Sequence, residues 1–458
     1  MEAARHRSLW LNTFPGRLDP RPALDQDLDV DVAIVGAGFT GLWTAYYLAL
    51  LEPSLHIAVV ERDIAGFGAS GRNGGWASAF IAGSPGVYAR HSDPAAVLRA
   101  ERATIESLDE MGRICDDESI DCGYAHGGTL TVATSEPQRA RLHAGVAGKH
   151  ARGITDADLR LLDAHASNDH ARVAGAIAAS YSPHCARIDP ARLVRGLADA
   201  CERRNVMIFE QSPGDITTGL VRTPRGSLRA PMVVRATESY SVQARGWGRR
   251  FLPLYSLMIA TEPLSHGVWE ELGWAEGLTV SDAHHLFFYA QRTPDGRIAI
   301  GGRGAPYRIG SPIDQANEQN ASVRQRLETT LRRCFPAIGA AAITHHWGGS
   351  LAVPRDWCMS VSCDRSAGTA WSGGYSGHGV VAAHLGGRTL AELILDCDTD
   401  RTSLPWVGHR SRDWEPEPLR FLASKAIVSV LGSADRVEDA TGRTARRTRL
   451  VAPFVMSR

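Results

Sequence analysis

Residues 29–75 read DVDVAIVGAGFTGLWTAYYLALLEPSLHIAVVERDIAGFGASGRNGG, and this stretch decides the fold. Its first run, residues 30–35, is apolar except for Asp31 and rich in β-branched side chains, which predicts a buried strand. Gly36, Gly38 and Gly41 follow as G-x-G-x-x-G. The first glycine of this pattern permits a tight turn, the second lets the backbone approach a pyrophosphate, and the third lets a helix pack closely on the strand. The pattern predicts a dinucleotide site at the end of the strand.

The residues after the glycines complete the dinucleotide-binding pattern. Apolar residues recur at helical spacing from Leu42 to Leu50, so a helix begins at the glycines and directs its N-terminal amides at the phosphates. The second strand, residues 56–61, ends in Glu61, twenty residues after Gly41, where an acid accepts hydrogen bonds from the adenosine ribose. A carboxylate at this position disfavours the 2′-phosphate of NADP, but it leaves NAD and FAD open.

Two further glycine-rich stretches bear on the choice between NAD and FAD. Residues 66–79, GFGASGRNGGWASA, expose backbone amides against which a ligand can lie. Residues 371–395, WSGGYSGHGVVAAHLGGRTLAELIL, place several glycines directly before an apolar-periodic helix. Taken alone, the first stretch also fits a mobile loop and the second an ordinary strand-to-helix turn.

Together these stretches resemble the D-amino-acid-oxidase-like superfamily of FAD-dependent oxidoreductases, and most of all its branch with glycine, sarcosine and γ-glutamylputrescine oxidases. The resemblance extends to residues 188–210 (IDPARLVRGLADACERRNVMIFE), 223–241 (TPRGSLRAPMVVRATESYS) and 285–304 (HLFFYAQRTPDGRIAIGGRG). It implies FAD as the cofactor, with GASGRNGG along the pyrophosphate, the ribityl chain and the flavin edge. The implied fold is α/β, a Rossmann-like FAD-binding domain with an interleaved α+β substrate domain built on a mostly antiparallel sheet.

The resemblance and the element pattern divide the chain into alternating parts. We expect the FAD-binding domain at residues 1–110, 165–250 and 342–404, and the substrate domain at residues 111–164 and 251–341. Residues 405–458 form a C-terminal tail, for which packing or a subunit contact is the only role that the sequence indicates.

The resemblance also implies the FAD contacts. They lie in the glycine fingerprint, at the end of the second strand, in the GASGRNGG loop, in the turn after residue 212, at the end of a later strand and in the last glycine motif. The turn departs from the family, in which a β-branched residue usually stands there. The candidates are Gly36, Ala37, Gly38, Phe39, Thr40, Gly41, Glu61, Arg62, Gly68, Ala69, Ser70, Arg72, Asn73, Gly74, Gly75, Trp76, Pro213, Gly214, Ala236, Gly374, Tyr375, Gly377, His378, Gly379 and Val380.

The implied reaction is oxidation of the C–N bond of a small amine or amino acid. A hydride leaves the carbon that bears a neutral amine for flavin N5, and the imine is hydrolysed to a carbonyl compound. The flavin carries this chemistry, so the protein mainly orients the substrate and stabilises charge. The candidate residues on the substrate side are Tyr255, Met258, Tyr289, Arg303, Trp347 and His378. Arg303 is the candidate carboxylate anchor, whereas the aromatic residues also fit the core and His378 also fits a turn cap.

Oxygen is the preferred electron acceptor, ahead of a quinone or a protein. Sarcosine oxidases of the superfamily place a Lys beside the flavin, where this chain has about Ala299, so protonated His378 or Arg303 would have to replace it. Two other functions remain open. One is a flavin dehydrogenase for a non-amine substrate such as a 2-hydroxy acid, and the other is a non-catalytic dinucleotide-binding protein.

The composition of the chain indicates which kinds of partner and which cellular compartment to expect. Lys+Arg and Asp+Glu both number 50, so no basic surface for nucleic acid is indicated. No apolar run of about 18 residues and no signal peptide is evident, and the eight scattered cysteines favour free thiols in the cytoplasm without a structural metal. Some sarcosine-oxidising relatives attach the flavin covalently through a Cys that precedes the last glycine motif. The resemblance therefore makes Cys358 and Cys363 the candidates for such a link here. Because Cys358 lies only sixteen residues before Gly374 and GASGRNGG lacks the tethering His of other relatives, the FAD is expected to be non-covalent.

Overall fold

Helices and strands alternate along the chain in the computed structural model, which describes residues 5–303 and 307–451 and only the backbone of Pro94 and Arg303. The helices are α1 (Leu9–Asn12), α2 (Phe39–Leu51), α3 (Pro85–His91), α4 (Pro94–Asp117), α5 (Glu136–His150), α6 (Ala164–Asn168), α7 (Pro190–Glu202), α8 (His266–Leu272), α9 (Ala321–Cys334), α10 (Gly379–Ile394) and α11 (Leu419–Thr441). The strands are β1 (Leu28–Asp29), β2 (Val32–Val35), β3 (Ile57–Val60), β4 (Trp76–Ser78), β5 (Thr129–Ala133), β6 (Arg160–Asp163), β7 (Ala178–Ser182), β8 (Cys185–Arg187), β9 (Met207–Phe209), β10 (Asp215–Thr217), β11 (Leu220–Arg222), β12 (Ser227–Arg229), β13 (Met232–Arg235), β14 (Leu252–Thr261), β15 (Thr279–Asp282), β16 (Phe288–Arg292), β17 (Ile298–Arg303), β18 (Ile343–Val353), β19 (Ser360–Asp364) and β20 (Thr369–Gly373).

A six-stranded sheet, in the order β19-β20-β13-β2-β3-β9, carries the glycine fingerprint. Its strands pair in parallel, except for β19 at one edge. Every residue of β2 and β3 is buried, as expected for parallel strands that have both faces covered. On one face α2 packs against α10, and a Cβ at Gly387 would lie 2.9 Å from the amide nitrogen of Thr44. The absence of a side chain at Gly387 therefore lets the two helices approach closely.

An eight-stranded sheet, in the order β18-β14-β17-β16-β15-β5-β7-β6, forms the second layer of the molecule. It is antiparallel apart from the β15–β5 pair. Two of its strands, β7 and β18, fall in parts of the chain that the sequence boundaries assigned to the FAD-binding domain. β18 pairs with β14 from Leu252 to Thr261, and β7 pairs with β5, so both strands belong to the eight-stranded sheet. The fold is thus α/β with a mostly antiparallel second sheet, as predicted.

Smaller elements complete the molecule. The four-stranded sheet β1-β12-β11-β10 adjoins the fingerprint strand, and the pair β4-β8 follows the GASGRNGG loop. The tail contributes α11. None of the helices in the described ranges combines the length and the apolar character that crossing a membrane requires.

Candidate active site

A cavity of about 1210 Å³ is lined by residues from both large sheets. Pockets for drug-sized ligands measure roughly 300–1,000 Å³, so this cavity has room for a larger ligand. It runs from the fingerprint turn at Gly36 and the end of β3 to the face of the eight-stranded sheet. The cavity therefore contains both groups of residues for which the sequence predicts a binding role.

The fingerprint turn forms one wall of the cavity. Gly36 has a φ of +108°, and a Cβ there would lie 2.5 Å from the carbonyl oxygen of Ala236. A Cβ at Gly41 would lie 2.0 Å from the carbonyl oxygen of Gly36, which explains why the third glycine is needed for helix packing. Helix α2 begins at Phe39 and has no side-chain cap at Gly38. The amide of Phe39 instead donates a hydrogen bond to the Ser70 hydroxyl at 2.8 Å. The positive dipole end of the helix faces the cavity, which suits a pyrophosphate.

Glu61 ends the second strand where the pattern predicts an acid. Its carboxylate accepts hydrogen bonds from the amides of Ala37 at 2.9 Å and Asp63 at 3.0 Å. Burial raises the pKa of Glu61, although these two backbone bonds favour the charged form. Ile216 lines the same end of the cavity and supplies a β-branched side chain just after the predicted turn.

The GASGRNGG loop is held in one conformation by its own side chains. The Asn73 carboxamide donates to the carbonyl oxygen of Ser70 at 2.9 Å and accepts from the Gly75 amide at 2.8 Å. The buried Arg72 guanidinium forms an ion pair with Glu318 at 2.7 Å. These bonds disfavour the interpretation of the stretch as a mobile loop, because its backbone is fixed against the cavity.

The last glycine motif forms another part of the cavity wall, next to the first turn of α2. Helix α10 begins at Gly379 without a side-chain cap at His378. The Glu238 carboxylate accepts hydrogen bonds from the amides of Gly374 at 3.0 Å and Tyr375 at 3.3 Å. Burial raises the pKa of Glu238 to about 7. Sequence reasoning missed Glu238, although an acid three residues after the end of strand β13 was a signal that could have found it.

The cavity thus receives the N-termini of α2 and α10, and both suit negative charge. These two N-termini fit FAD, because its pyrophosphate and its reduced flavin ring are both anionic. The predicted cofactor contacts that line the cavity are Gly36, Gly38, Phe39, Thr40, Glu61, Arg62, Gly68, Ala69, Ser70, Arg72, Asn73, Gly74, Trp76, Pro213, Gly214, Ala236, Tyr375, Gly377, His378, Gly379 and Val380. Ala37, Gly41, Gly75 and Gly374 lie behind this surface, where they serve the turns and their packing.

The structure brings most of the predicted substrate-side residues together. Tyr255, Met258, Tyr289 and His378 line the cavity. Trp347 does not line it, because its indole Nε1 donates to the carbonyl oxygen of Arg72 at 2.9 Å and its ring is buried behind the loop. The side chain of Arg303, the predicted carboxylate anchor, lies outside the described residues.

Sequence reasoning missed a hydroxyl-bearing surface on the eight-stranded sheet. Its members come from β5, β7 and β15 and are Thr129, Thr131, Ser180, Ser182 and Ser281. The hydroxyl groups of Thr131 and Ser281 lie 3.0 Å apart. Among the residues that the structure describes, the buried hydroxyl of Thr129 has no hydrogen-bond partner. The alternation of Thr129 and Thr131 in TLTVA was the available signal.

The C-terminal tail also contributes to the cavity. Ser424, Ile427, Val428 and Leu431 of α11 line it. The tail is therefore a wall of the candidate site, which the sequence did not indicate.

Comparison with known proteins identifies the family. Residues 31–393 match the family described as DAO, FAD dependent oxidoreductase. γ-Glutamylputrescine oxidoreductase of Escherichia coli (strain K12) is 30% identical over 429 residues, which cover 89% of this chain and 94% of that protein. Glycine oxidase from Geobacillus kaustophilus superposes with a TM-score of 0.68 at 20% identity, covering 81% of this chain and 96% of that one. L-proline dehydrogenase from P. horikoshii superposes with a TM-score of 0.67 at 19% identity, covering 83% of this chain and 96% of that one. The chain belongs to the DAO family of FAD-dependent oxidoreductases, and its cofactor is FAD.

Proposed function

We propose that the protein oxidises the C–N bond of a small, polar amine or amino acid and that hydrolysis of the resulting imine gives a carbonyl product. The observation that carries the proposal is the hydroxyl-bearing surface of the eight-stranded sheet, which opens on the same cavity as the N-termini of α2 and α10. Such a surface suits a polar substrate better than an apolar one. The E. coli relative, named for an amine substrate, supports the same substrate class.

The residues on the substrate side have positioning roles in this proposal. When bound, FAD supplies the hydride acceptor. Tyr255, Met258 and Tyr289 enclose the reacting carbon and exclude water, and the Tyr289 hydroxyl is held by the Ser256 hydroxyl at 2.7 Å. We also propose that the chain forms an FAD-binding domain and a substrate domain, and that β7 and β18 belong to the substrate domain.

Product analysis tests this function. The holoenzyme is incubated with γ-glutamylputrescine, glycine, sarcosine, L-proline and several 2-hydroxy acids, with a dye as electron acceptor. We expect at least one amine to yield a carbonyl product in proportion to the dye reduced. Turnover confined to 2-hydroxy acids would instead establish the non-amine dehydrogenase.

We propose oxygen as the natural electron acceptor. Ala299 stands at about the position where sarcosine oxidases have a lysine, and it is buried in an apolar cluster with Met258 and Trp347. This position therefore supplies no positive charge, and another cation has to take that role. The buried Arg72 guanidinium in the loop lines the cavity, and its ion pair with Glu318 offsets only part of its charge. A fixed positive charge in a dry site stabilises developing superoxide. Stopped-flow mixing of the reduced enzyme with aerated buffer tests this assignment. Reoxidation slower than that of free reduced flavin would assign a quinone or a protein as acceptor.

We also propose that the protein works in the cytoplasm. The support is that all eight cysteines are free thiols, including Cys115 and Cys122, whose sulfur atoms lie 3.8 Å apart without a bond. Cell fractionation with an antibody against the protein tests the location. Recovery in an oxidising compartment would contradict it.

A further inference from the structure

Three metal-ligating side chains lie together outside the cavity, where the tail meets the loop between β18 and β19. They are Asp356, Cys358 and His409. One carboxylate oxygen, the thiol sulfur and one imidazole nitrogen lie within 4.8 Å of one another. Because His409 comes from the tail, far along the chain from the other two, the spacing of residues in the sequence predicted no metal site.

The donor atoms of this cluster are of the kinds that Zn²⁺ prefers. Imidazole nitrogen, thiolate sulfur and carboxylate oxygen bind this ion tetrahedrally at about 2.0–2.3 Å, which places the donor atoms about 3–4 Å apart. Nε2 of His409 lies 2.9 Å from Oδ2 of Asp356, and the Cys358 sulfur completes the group. Small shifts of the side chains therefore bring all three donor atoms to one ion.

Hydrogen bonds from outside the cluster hold two of the ligands in place. Oδ1 of Asp356, the oxygen that faces away from His409, accepts from the Cys358 amide at 3.2 Å and from the Ser411 hydroxyl. The Cys358 sulfur accepts a hydrogen bond from the Ser84 amide at 3.3 Å. Outer bonds of this kind orient metal ligands, and an N–H donor at the sulfur stabilises a thiolate.

His409 is also fixed by its surroundings. Its carbonyl oxygen accepts a hydrogen bond from the Ser360 hydroxyl at 2.6 Å. Its imidazole packs edge-to-face on the Tyr88 ring, with the ring centres 5.7 Å apart. The imidazole therefore loses little conformational freedom when its nitrogen binds an ion.

A second cluster of similar composition shows the difference that a built-in cation makes. It consists of His285, Asp435 and Glu438. The Arg141 guanidinium lies in it, 2.7 Å from Glu438 and 3.1 Å from the His285 ring, so a positive charge is already present. Within residues 5–303 and 307–451, no Arg or Lys forms an ion pair with Asp356, whose charged partner is His409. The first cluster therefore has room for a cation that the second supplies itself.

We propose that Asp356, Cys358 and His409 bind one Zn²⁺ ion, with a water molecule as the fourth ligand. The Asp356 side chain is 26% exposed and gives that water access, whereas Cys358 and His409 are buried behind it. On binding, the sulfur–zinc bond replaces the S–H bond of Cys358 and the proton leaves to solvent, so nothing is oxidised. The ion neutralises the carboxylate and the thiolate.

The role of the ion is structural. None of its ligands lines the cavity, so the ion takes no part in the flavin chemistry. Asp356 and Cys358 flank Trp357, which does line the cavity and whose carbonyl oxygen accepts a hydrogen bond from the Ser376 hydroxyl at 3.1 Å. Ser376 belongs to the last glycine motif. The ion therefore ties the tail to the loop that supports this motif.

Cobalt substitution of the holoenzyme tests the site. Co²⁺ occupies nitrogen and sulfur sites of the Zn²⁺ type, and in tetrahedral geometry it absorbs red light, which oxidised flavin does not. The holoenzyme is treated with a chelator, dialysed and titrated with Co²⁺. We expect red absorption bands that saturate at about one Co²⁺ per chain and that disappear when Zn²⁺ is added.

Variants assign the ligands. Cys358→Ser and His409→Gln should each abolish the red bands and weaken Zn²⁺ binding in calorimetry by roughly 100-fold or more, since even outer partners of a metal ligand contribute about 10–100-fold. Two matched controls should keep both signals. They are Cys363→Ser, at a half-buried thiol on β19, and His285→Gln, in the cluster that holds Arg141. Flavin content per chain shows whether each variant is folded.

A measurement on the wild type does not depend on the folding of any variant. Calorimetry of Zn²⁺ binding in buffers of different ionisation enthalpy counts released protons, and coordination by the Cys358 thiol should release about one proton per ion. Zn²⁺ binding without proton release would overturn the proposal, as would a wild-type holoenzyme that gives no red bands. Red bands that persist in folded Cys358→Ser and His409→Gln would show an adventitious ion only.

Discussion

The hydroxyl groups of Thr40 and Tyr375 lie 2.8 Å apart, although the two residues are 335 positions apart in the chain. Thr40 is in the first turn of α2, and Tyr375 is in the glycine motif that precedes α10. The Tyr375 hydroxyl also lies 2.9 Å from the Ser372 hydroxyl. This buried contact joins the two helix N-termini that face the cavity, and it sets their separation.

A double-mutant cycle tests that connection. Tyr375→Phe leaves the Thr40 hydroxyl without this partner, and Thr40→Val leaves the Tyr375 hydroxyl with Ser372 alone. Each variant should therefore lower the free energy of unfolding by about 1–3 kcal/mol, and Tyr375→Phe should cost more. The double variant should cost less than the sum, with a coupling energy of about 1 kcal/mol, measured by urea denaturation of the holoenzyme. Strict additivity of the two changes would show that the contact is energetically irrelevant.

Gly38→Val should abolish FAD incorporation. A Cβ at Gly38 would lie 2.9 Å from the Ser70 hydroxyl, which accepts the hydrogen bond of the Phe39 amide, and the side chain would enter the space before α2. The flavin content of the purified variant, read from its visible absorbance per chain, should fall to near zero. Gly267→Val is the matched control, since a Cβ at that helical glycine meets no atom within 4 Å. Normal flavin content in the Gly38 variant would contradict the placement of the pyrophosphate.

The FAD should be released by acid precipitation. Cys358 is 1% exposed, lies outside the cavity wall and receives a hydrogen bond from the Ser84 amide at 3.3 Å. Burial raises the pKa of its thiol to about 12, so the nucleophilic thiolate is scarce at neutral pH. The yellow colour should therefore appear in the supernatant. A yellow pellet would show a covalent link.

The stability of the fold should fall below about pH 6 because of His384. Its ring is fully buried on α10 and is hydrogen bonded to the Tyr47 hydroxyl at 2.7 Å and the Ser107 hydroxyl at 2.5 Å. Burial, with a smaller effect of Arg388, lowers its pKa from 6.5 to about 3. Between these values the unfolded chain binds a proton that the folded chain excludes, so stability is lost as the pH falls through 6.5 towards 3.

Urea denaturation between about pH 7 and pH 5 measures this effect. The free energy of unfolding of the wild type should fall relative to that of His384→Asn by up to about 1.4 kcal/mol per pH unit. His165→Gln, at a side chain that is 91% exposed, is the matched control. Equal pH dependence of wild type and His384→Asn would contradict the account.

The features that the sequence predicted correctly depend on short stretches of chain. The strand before Gly36, the helix after it and the acid at Glu61 are all local, and the structure has them where the pattern placed them. The fold class followed from these stretches and from the resemblance. The FAD contacts and the substrate-side residues stay predictions until the variants are measured.

The features that the sequence did not predict depend on distant parts of the chain. The sequence did not predict that β18 belongs to the eight-stranded sheet, because only its pairing with the distant β14 places it there. Trp347 was placed at the cavity, but its indole is used to hold the loop at Arg72. The tail enters the site through tertiary packing, which leaves no periodic signal in the sequence.

Anaerobic titration of the holoenzyme is the most direct test of the central claim, that this member of the DAO family oxidises an amine. Visible absorbance of the flavin is followed while γ-glutamylputrescine, other amines and amino acids, and 2-hydroxy acids are added in turn. The account predicts stoichiometric bleaching by an amine and none by the 2-hydroxy acids. Flavin that dithionite bleaches but no amine does, or that only a 2-hydroxy acid bleaches, would contradict it.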